Sequence, residues 1–184
     1  MNYRTSTYVA FDGNGTTDPT KGDLKYLGLL RLWNESPRYE FSFSDSHKKT
    51  YQVKDSSSIE TLKARLCERL NLSKNMLVII SDDTNYDRGL LNYEIEKAVD
   101  KYKIPLIVAY TGYEYIMKPA ELEDKWPKAL KERIREGTAN CIHIPFKQAP
   151  IFDAINQFTV QKNNLKGSLH YYNRDTYIYW GIIK

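Results

Sequence analysis

The sequence predicts an α/β fold, a flavodoxin-like three-layer sandwich around a mostly parallel five-stranded sheet. Five strand-like runs alternate with helical patterns along the 184 residues, an arrangement typical of right-handed crossover connections. Two of these runs, MLVIIS and PLIVAY, are continuously apolar, as expected of strands that are covered on both faces. The length and the 41% hydrophobic fraction suit one domain with a sizeable core.

The first quarter of the chain supplies two strands with a helix between them. TYVAFD, residues 7–12, is rich in β-forming residues and ends in the breaker-rich loop GNGTTDPTKG. Apolar residues spaced three apart from Leu24 to Trp33 then predict a helix. YEFSFS, residues 39–44, alternates strictly between apolar and polar residues, which indicates a strand near a sheet edge.

The middle of the chain continues the alternation. Ser57 and Glu60 form a predicted capping box for a helix that ends near Leu70, and MLVIIS follows as the third strand. A helix over residues 88–102 leads to PLIVAY, the fourth strand.

The last third begins with a charged helix over residues 119–135, which is interrupted or restarted at Pro127. CIHIPF is the predicted fifth strand, and a short helix over residues 150–158 follows it. We therefore expect one domain over residues 1–158 and a C-terminal extension, 159–184, packed on it as one or two edge strands.

The two most apolar strands belong in the middle of the sheet, and the order 2-1-3-4-5 satisfies this condition. Ligands of such sheets bind beyond the carboxyl ends of the strands, at the switch point between the first and third strands. Loop residues at these ends are therefore predicted to line one cleft. They are Asp12, Gly13, Asp45, His47, Ser81 and Tyr86.

Glu94 is the candidate catalytic residue in the helix over residues 88–102. At roughly 100° per residue, the buried stripe of this helix includes Leu91 and Ile95, and Glu94 falls on its flank. A carboxylate there would be partly desolvated and would face the mouth of the sheet. A surface salt bridge with Lys97 or Arg88 is the alternative that the residues leave open.

Several classes of site and protein are not indicated. The net charge of +4 is dispersed, so nucleic-acid binding is not expected. Cys67 and Cys141 are far apart, and the three histidines lack ligand spacing, so no metal site is predicted. His143 fits a satisfied strand residue. No run approaches the ~20 apolar residues of a membrane span and no signal peptide is visible, which favours the cytoplasm.

The stretch IISDDTNYDRGLLNYEIEKAV resembles the centre of a TIR domain, in which an apolar strand ends in serine and the next helix carries a glutamate followed by an aliphatic residue. YRTSTYVAFDG and NYEIEKAVDKYKIPLIVAYTGY are similar to the TIR-like branch of the bacterial Thoeris antiphage system. The resemblance covers roughly residues 3–113. Phe11, Asp12 and Gly13 replace the serine–tyrosine or phenylalanine–histidine sequence that is common after the family's first strand.

The resemblance implies an enzyme that cleaves NAD between nicotinamide and ribose, with Glu94 as the catalytic residue and no cofactor or metal. It also implies a cyclic ADP-ribose-type signal that activates a partner effector. Substrate contacts are expected from the cleft residues and from Phe11. Self-association of the protein is also compatible with the resemblance. A non-catalytic binding or assembly module and a nucleoside deoxyribosyltransferase-like enzyme are the alternatives.

Overall fold

The computed structural model describes residues 4–12, 23–35, 58–82, 84 and 89–184. In chain order, the strands and α-helices are β1 (Ser6–Ala10), α1 (Leu24–Asn34), α2 (Ile59–Asn71), β2 (Ser73–Ile80), α3 (Gly89–Glu96), β3 (Leu106–Tyr110), α4 (Lys128–Arg135), β4 (Cys141–Pro145), α5 (Gln148–Gln157) and α6 (Arg174–Tyr179). A π-helical turn, Lys97–Lys101, continues α3, and a 3-10 helix, Pro119–Lys125, precedes α4.

The four described strands form one parallel sheet in the order β1-β2-β3-β4. The runs MLVIIS and PLIVAY form most of β2 and β3, and both lie inside the sheet as predicted. The order of these four strands agrees with their predicted order. The described sheet has four strands where five were predicted, because YEFSFS lies outside the described residues.

Two core layers flank the sheet, since successive strand residues point to opposite faces. The first core layer packs α2, α3 and α4 on one face and includes Tyr8 and Val78. The second core layer packs α1, α5 and α6 on the other face and includes Val9 and Leu77. The predicted sandwich of helices on both faces of a parallel sheet is therefore confirmed.

Helix α2 and strand β2 begin at other residues than predicted. Ser58, not Ser57, caps α2 by accepting a hydrogen bond from the Thr61 amide at 3.2 Å. Strand β2 begins three residues before MLVIIS, because hydrogen bonds within the fold stabilise the polar residues at its start. The Asn75 side chain accepts from Thr7 Oγ1 at 2.7 Å and donates to two backbone carbonyls of the segment around α5, each at 2.8 Å.

The helix predicted over residues 88–102 is α-helical only as far as Glu96 and then widens into the π-helical turn. The predicted interruption at Pro127 is confirmed. Pro127 has extended backbone and separates the 3-10 helix from α4, because proline cannot donate the amide hydrogen bond of a continuing helix.

The C-terminal extension does not form the predicted edge strands. It contributes a single bridge to the sheet, between Ile142 and His170, and then the helix α6. The Tyr177 side chain of α6 is fully buried in the second core layer. Its hydroxyl accepts a hydrogen bond from the Ile116 amide at 3.3 Å and lies 3.2 Å from the Ile116 carbonyl.

Among the helices in the described part of the chain, we find none with both the length and the apolar character needed to span a bilayer.

Candidate functional site

Glu94 lies in the second turn of α3 and is more deeply buried than the sequence predicted, with only 3% of its surface exposed. The Tyr8 hydroxyl, on β1, donates a hydrogen bond to Glu94 Oε1 at 2.8 Å. The alternative of a surface salt bridge is wrong, because Glu94 is buried and Lys97 pairs with Glu96 at 3.1 Å. Glu94 is thus a carboxyl group held within the first core layer.

Burial dominates the electrostatics of this carboxyl group. It raises the pKa of Glu94 to about 8, against weaker lowering effects from the Tyr8 hydrogen bond and the positive charge of Arg69 on α2. Burial and the neighbouring Glu94 charge also raise the pKa of Tyr8 well above its ordinary value, so Tyr8 remains a donor. At neutral pH the protonated form of Glu94 therefore predominates.

The carboxyl ends of β1 and β2 carry the predicted site residues that the structure describes. Phe11 and Asp12 follow β1, and Ser81 follows β2; all three are buried. The Ser81 hydroxyl donates to Oδ1 of Asp23, and the Thr84 hydroxyl donates to Oδ2 at 3.1 Å. Asp23 is itself buried at the start of α1.

This arrangement, the Asp23–Ser81–Thr84 cluster, links two residues that follow β2 to the start of α1. The Ser81 amide also donates to Thr84 Oγ1 at 2.9 Å, which joins these two residues directly. The cluster turns the Ser81 hydroxyl towards α1, whereas Glu94 faces Tyr8 in the layer of α3. The structure therefore places Ser81 at the expected edge of the sheet, where its hydroxyl is hydrogen-bonded to Asp23.

Four other predicted cleft residues cannot be placed beside Glu94, because they lie outside the described residues: Gly13, Asp45, His47 and Tyr86. Their role in a site stays a prediction.

Sequence reasoning missed Tyr8, Asp23 and Thr84. Tyr8 is 86 residues from Glu94, and Asp23 is 58 residues from Ser81, so no local spacing links the partners. One pattern in the sequence could have indicated Tyr8. Alternation along β1 puts Tyr8 and Ala10 on one face of the strand and Val9 on the other face. That face points towards α3.

A cavity of about 350 Å³ opens in the loop after β3 and the following 3-10 helix. Its walls include Tyr113, Tyr115 and Leu122, with the ion pair of Lys118 and Glu121, at 2.9 Å, beside them. Of the predicted site residues that the structure describes, Glu94 included, none lines it. The cavity lies in the chain segment that follows the carboxyl end of β3.

His143 belongs to a closed hydrogen-bond chain. Trp126 Nε1 donates to the Tyr110 hydroxyl at 2.8 Å, that hydroxyl lies 2.7 Å from His143 Nδ1, and Nε2 lies 2.8 Å from the Ser168 carbonyl. Because the carbonyl can only accept, Nε2 carries the proton and Nδ1 accepts from Tyr110. Burial lowers the pKa of His143 to about 4, so it is neutral. The predicted role as a satisfied strand residue is confirmed.

Within the described ranges, no three His, Cys, Asp or Glu side chains are grouped as metal ligands. Cys141 is buried in β4, and burial raises the pKa of its thiol. Cys67 is only half-buried, with its sulfur 3.4 Å from the Tyr93 hydroxyl.

Comparison with known families shows that the chain matches the family model described as Thoeris protein ThsB, TIR-like domain. It covers residues 8–116, more than half of the chain. The matched part runs from β1 to the loop after β3 and includes both members of the Tyr8–Glu94 pair. The chain therefore belongs to the family of Thoeris ThsB TIR-like domains.

Proposed function

We propose that this protein acts in antiphage defence as an enzyme that cleaves NAD at the bond between nicotinamide and ribose. The observation that carries the proposal is the buried carboxyl group of Glu94 on α3, which is 3% exposed and within 2.8 Å of the Tyr8 hydroxyl. Perturbed, buried ionisable groups are concentrated at functional sites. Glu94 is therefore the proposed catalytic residue.

The chemistry requires a negative charge at a fixed place. Departure of nicotinamide leaves an oxocarbenium-like ribosyl cation, which a preorganised carboxylate stabilises. A carboxylate that is removed from water acts on this cation through a lower effective dielectric constant, and its attraction is stronger for that reason. The same burial raises the pKa of Glu94 to about 8, so the reactive ionised form is a minority at neutral pH.

The remaining parts of the proposal go beyond the family match and are supported by resemblance alone. The ADP-ribosyl product is closed into a cyclic ADP-ribose-type signal, which activates a partner effector in the cytoplasm. Glu94 supplies the charge, and the mechanism needs neither a metal nor a further cofactor. Substrate contacts are assigned to Phe11, Asp12, Gly13, Asp45, His47, Ser81 and Tyr86.

Replacing Glu94 with glutamine tests the proposal, because glutamine keeps the shape of the side chain and removes its charge. We expect nicotinamide release from NAD, in a concentrated or phage-triggered preparation, to fall about 10²–10³-fold, equivalent to ~2.7–4 kcal/mol of barrier. Glu96→Gln is the matched control. Glu96 lies two residues away and pairs with Lys97 at the surface, so this variant should retain the wild-type rate.

Equal rates in wild type and Glu94→Gln would refute the catalytic role. Equal loss in both variants would indicate damage to α3 instead.

A non-catalytic assembly module is a second candidate, favoured by exposed apolar and aromatic side chains near the C-terminus. Tyr179 is 87% exposed, and Leu169 and Tyr171 are also exposed. Such a module would bind its partner equally well with glutamate or glutamine at position 94, and wild type would release no nicotinamide under the triggered conditions.

A further inference from the structure

We propose that Tyr8 is a positioning residue for Glu94, whose hydroxyl holds the ionised carboxylate in one orientation for the reaction. This inference rests on the proposed function, because it assigns Tyr8 a role in the chemistry of Glu94. Tyr8 itself does not touch the reacting atoms in this assignment.

The geometry of the pair is preorganised. The 2.8 Å bond joins a side chain of the central sheet to a side chain of α3, and the two residues are 1% and 3% exposed. Tyr8 stands on β1 opposite Met76 of β2, and its ring packs in the first core layer. Neither partner can move without repacking this core. The bond therefore limits the orientations that the Glu94 carboxylate can adopt.

The charged groups around the pair make the Tyr8 hydroxyl important. Arg69, on α2, favours the ionised form of Glu94. Cys67, also on α2, raises the pKa of Tyr8, but by less than Glu94 does. Among the described groups that favour the ionised form of Glu94, the Tyr8 hydrogen bond has a larger effect than the charge of Arg69. Removing this hydroxyl should raise the pKa of Glu94 further and lower the ionised fraction.

A purely structural role for Tyr8 predicts something different. If the ring only fills space in the core, then phenylalanine, which keeps the ring, should leave both the titration of Glu94 and the reaction unchanged. The variant Tyr8→Phe therefore separates the two roles.

Tyr93→Phe is the matched control. Tyr93 is adjacent to Glu94 on α3, but its hydroxyl lies beside Cys67 instead of Glu94. Loss of that hydroxyl should not affect the carboxylate.

The experiment compares pH–rate profiles of nicotinamide release for wild type, Tyr8→Phe and Tyr93→Phe, after circular dichroism has verified their fold. We expect the rise of kcat with pH to move about one pH unit to the alkaline side in Tyr8→Phe, since hydrogen bonds to charged groups have about this strength. At pH 7 kcat should fall about tenfold, with KM nearly unchanged. Tyr93→Phe should follow wild type.

A second measurement does not depend on activity. With ¹³C-labelled glutamate carboxyl groups, and with Glu94→Gln to assign the signal, NMR follows the titration of Glu94 directly. Its midpoint should rise in Tyr8→Phe and stay in place in Tyr93→Phe.

Coincident titrations of Glu94 in wild type and Tyr8→Phe would overturn the inference, as would coincident pH–rate profiles. Failure of the proposed function gives a different result, in which wild type and Glu94→Gln release nicotinamide equally slowly. In that case Tyr8 has no reaction to support, and the inference falls with the function.

Discussion

Glu94 and His143 are both buried, ionisable and hydrogen-bonded, yet their surroundings differ in kind. Both nitrogens of His143 have partners within the fold, the Tyr110 hydroxyl and the Ser168 carbonyl. Among the described residues, the carboxyl group of Glu94 has one hydrogen-bond donor, the Tyr8 hydroxyl. Within the described ranges, the hydrogen bonding of the histidine is complete, whereas the carboxylate has capacity for further donors.

This difference separates a structural group from a candidate reactive one. A buried polar network whose members all have partners rigidifies a core and gains nothing from a ligand. A desolvated carboxyl group with a single donor has a costly ionised form, which a positively charged transition state would stabilise. Burial moves both pKa values away from their ordinary positions, but in opposite directions.

The largest effect is expected for the stability of Glu94→Gln. The folded-state pKa of about 8 exceeds the ordinary 4.5, so the folded protein holds a proton that the unfolded chain has lost. Wild-type stability should therefore fall as pH rises from about 4.5 to about 8, by at most ~1.4 kcal/mol per unit. Glutamine does not titrate. At pH 8.5 the variant should therefore be more stable than wild type, by an amount on the order of several kcal/mol.

Urea unfolding at pH 5 and pH 8.5 measures this gain, and Glu96→Gln should show none of it. A constant difference between Glu94→Gln and wild type at both pH values would contradict the burial of an ionisable Glu94.

His143→Phe should have the next largest effect, and in the opposite direction. Phenylalanine keeps an aromatic ring but removes one partner each from the Tyr110 hydroxyl and the part-buried Ser168 carbonyl, while Trp126 still donates to that hydroxyl. Loss of a partner by a buried polar group costs about 1–3 kcal/mol, so the free energy of unfolding should fall by ~3 kcal/mol in denaturant titrations at pH 7.5. Nicotinamide release per folded molecule should stay at the wild-type level, and a specific catalytic loss would contradict a purely structural role.

Asp23→Asn should have a smaller effect on stability. The two oxygens of Asp23 accept from the hydroxyls of Ser81 and Thr84, and an amide offers only one acceptor in their place. We expect a loss of about 2 kcal/mol, the range of hydrogen bonds to charged groups. Hydrogen exchange should show faster opening of the amides at Ser81 and Thr84, while amides of β4, far along the sheet, serve as the control.

The smallest expected effect arises where the contributions of Glu94 and His143 to the pH dependence of stability cancel. The folded-state pKa of His143, about 4, lies below the ordinary 6.5, so its contribution to stability is present above pH 6.5 and is lost as pH falls towards 4. Between about pH 4.5 and 6.5 this slope opposes that of Glu94. The two residues together should contribute almost no pH dependence there. Glu94→Gln should uncover the histidine slope, seen as stability that rises with pH in the same window.

Sequence patterns predicted the elements whose signals are local. The apolar runs of β2 and β3 identified interior strands, because a strand covered on both faces is apolar at successive positions. Pro127 marked a helix break, because proline has no amide hydrogen to donate within a helix. The start of β2 was less predictable. Its polar first residues are satisfied by Thr7 and by carbonyls near α5, which lie far away in the chain.

The candidate site was predictable only in part. The helical wheel placed Glu94 beside the buried stripe, but the depth of its burial depends on β1, through Tyr8. Asp23 had no signal, since its importance comes from hydroxyls 58 and 61 residues later. Pairings of this kind are properties of the tertiary fold, and a single sequence does not encode them in its spacing.

The double contact between Tyr177 and Ile116 has a consequence for dissecting this protein into fragments. The family match ends at residue 116, the residue whose amide and carbonyl the Tyr177 hydroxyl contacts. A fragment cut there would lose β4, leaving the apolar edge of β3 unpaired and prone to intermolecular strand pairing. It would also lose α5 and α6, which complete the second core layer. The autonomous folding unit is therefore larger than the recognisable motif, and expression of residues 8–116 alone should yield aggregates.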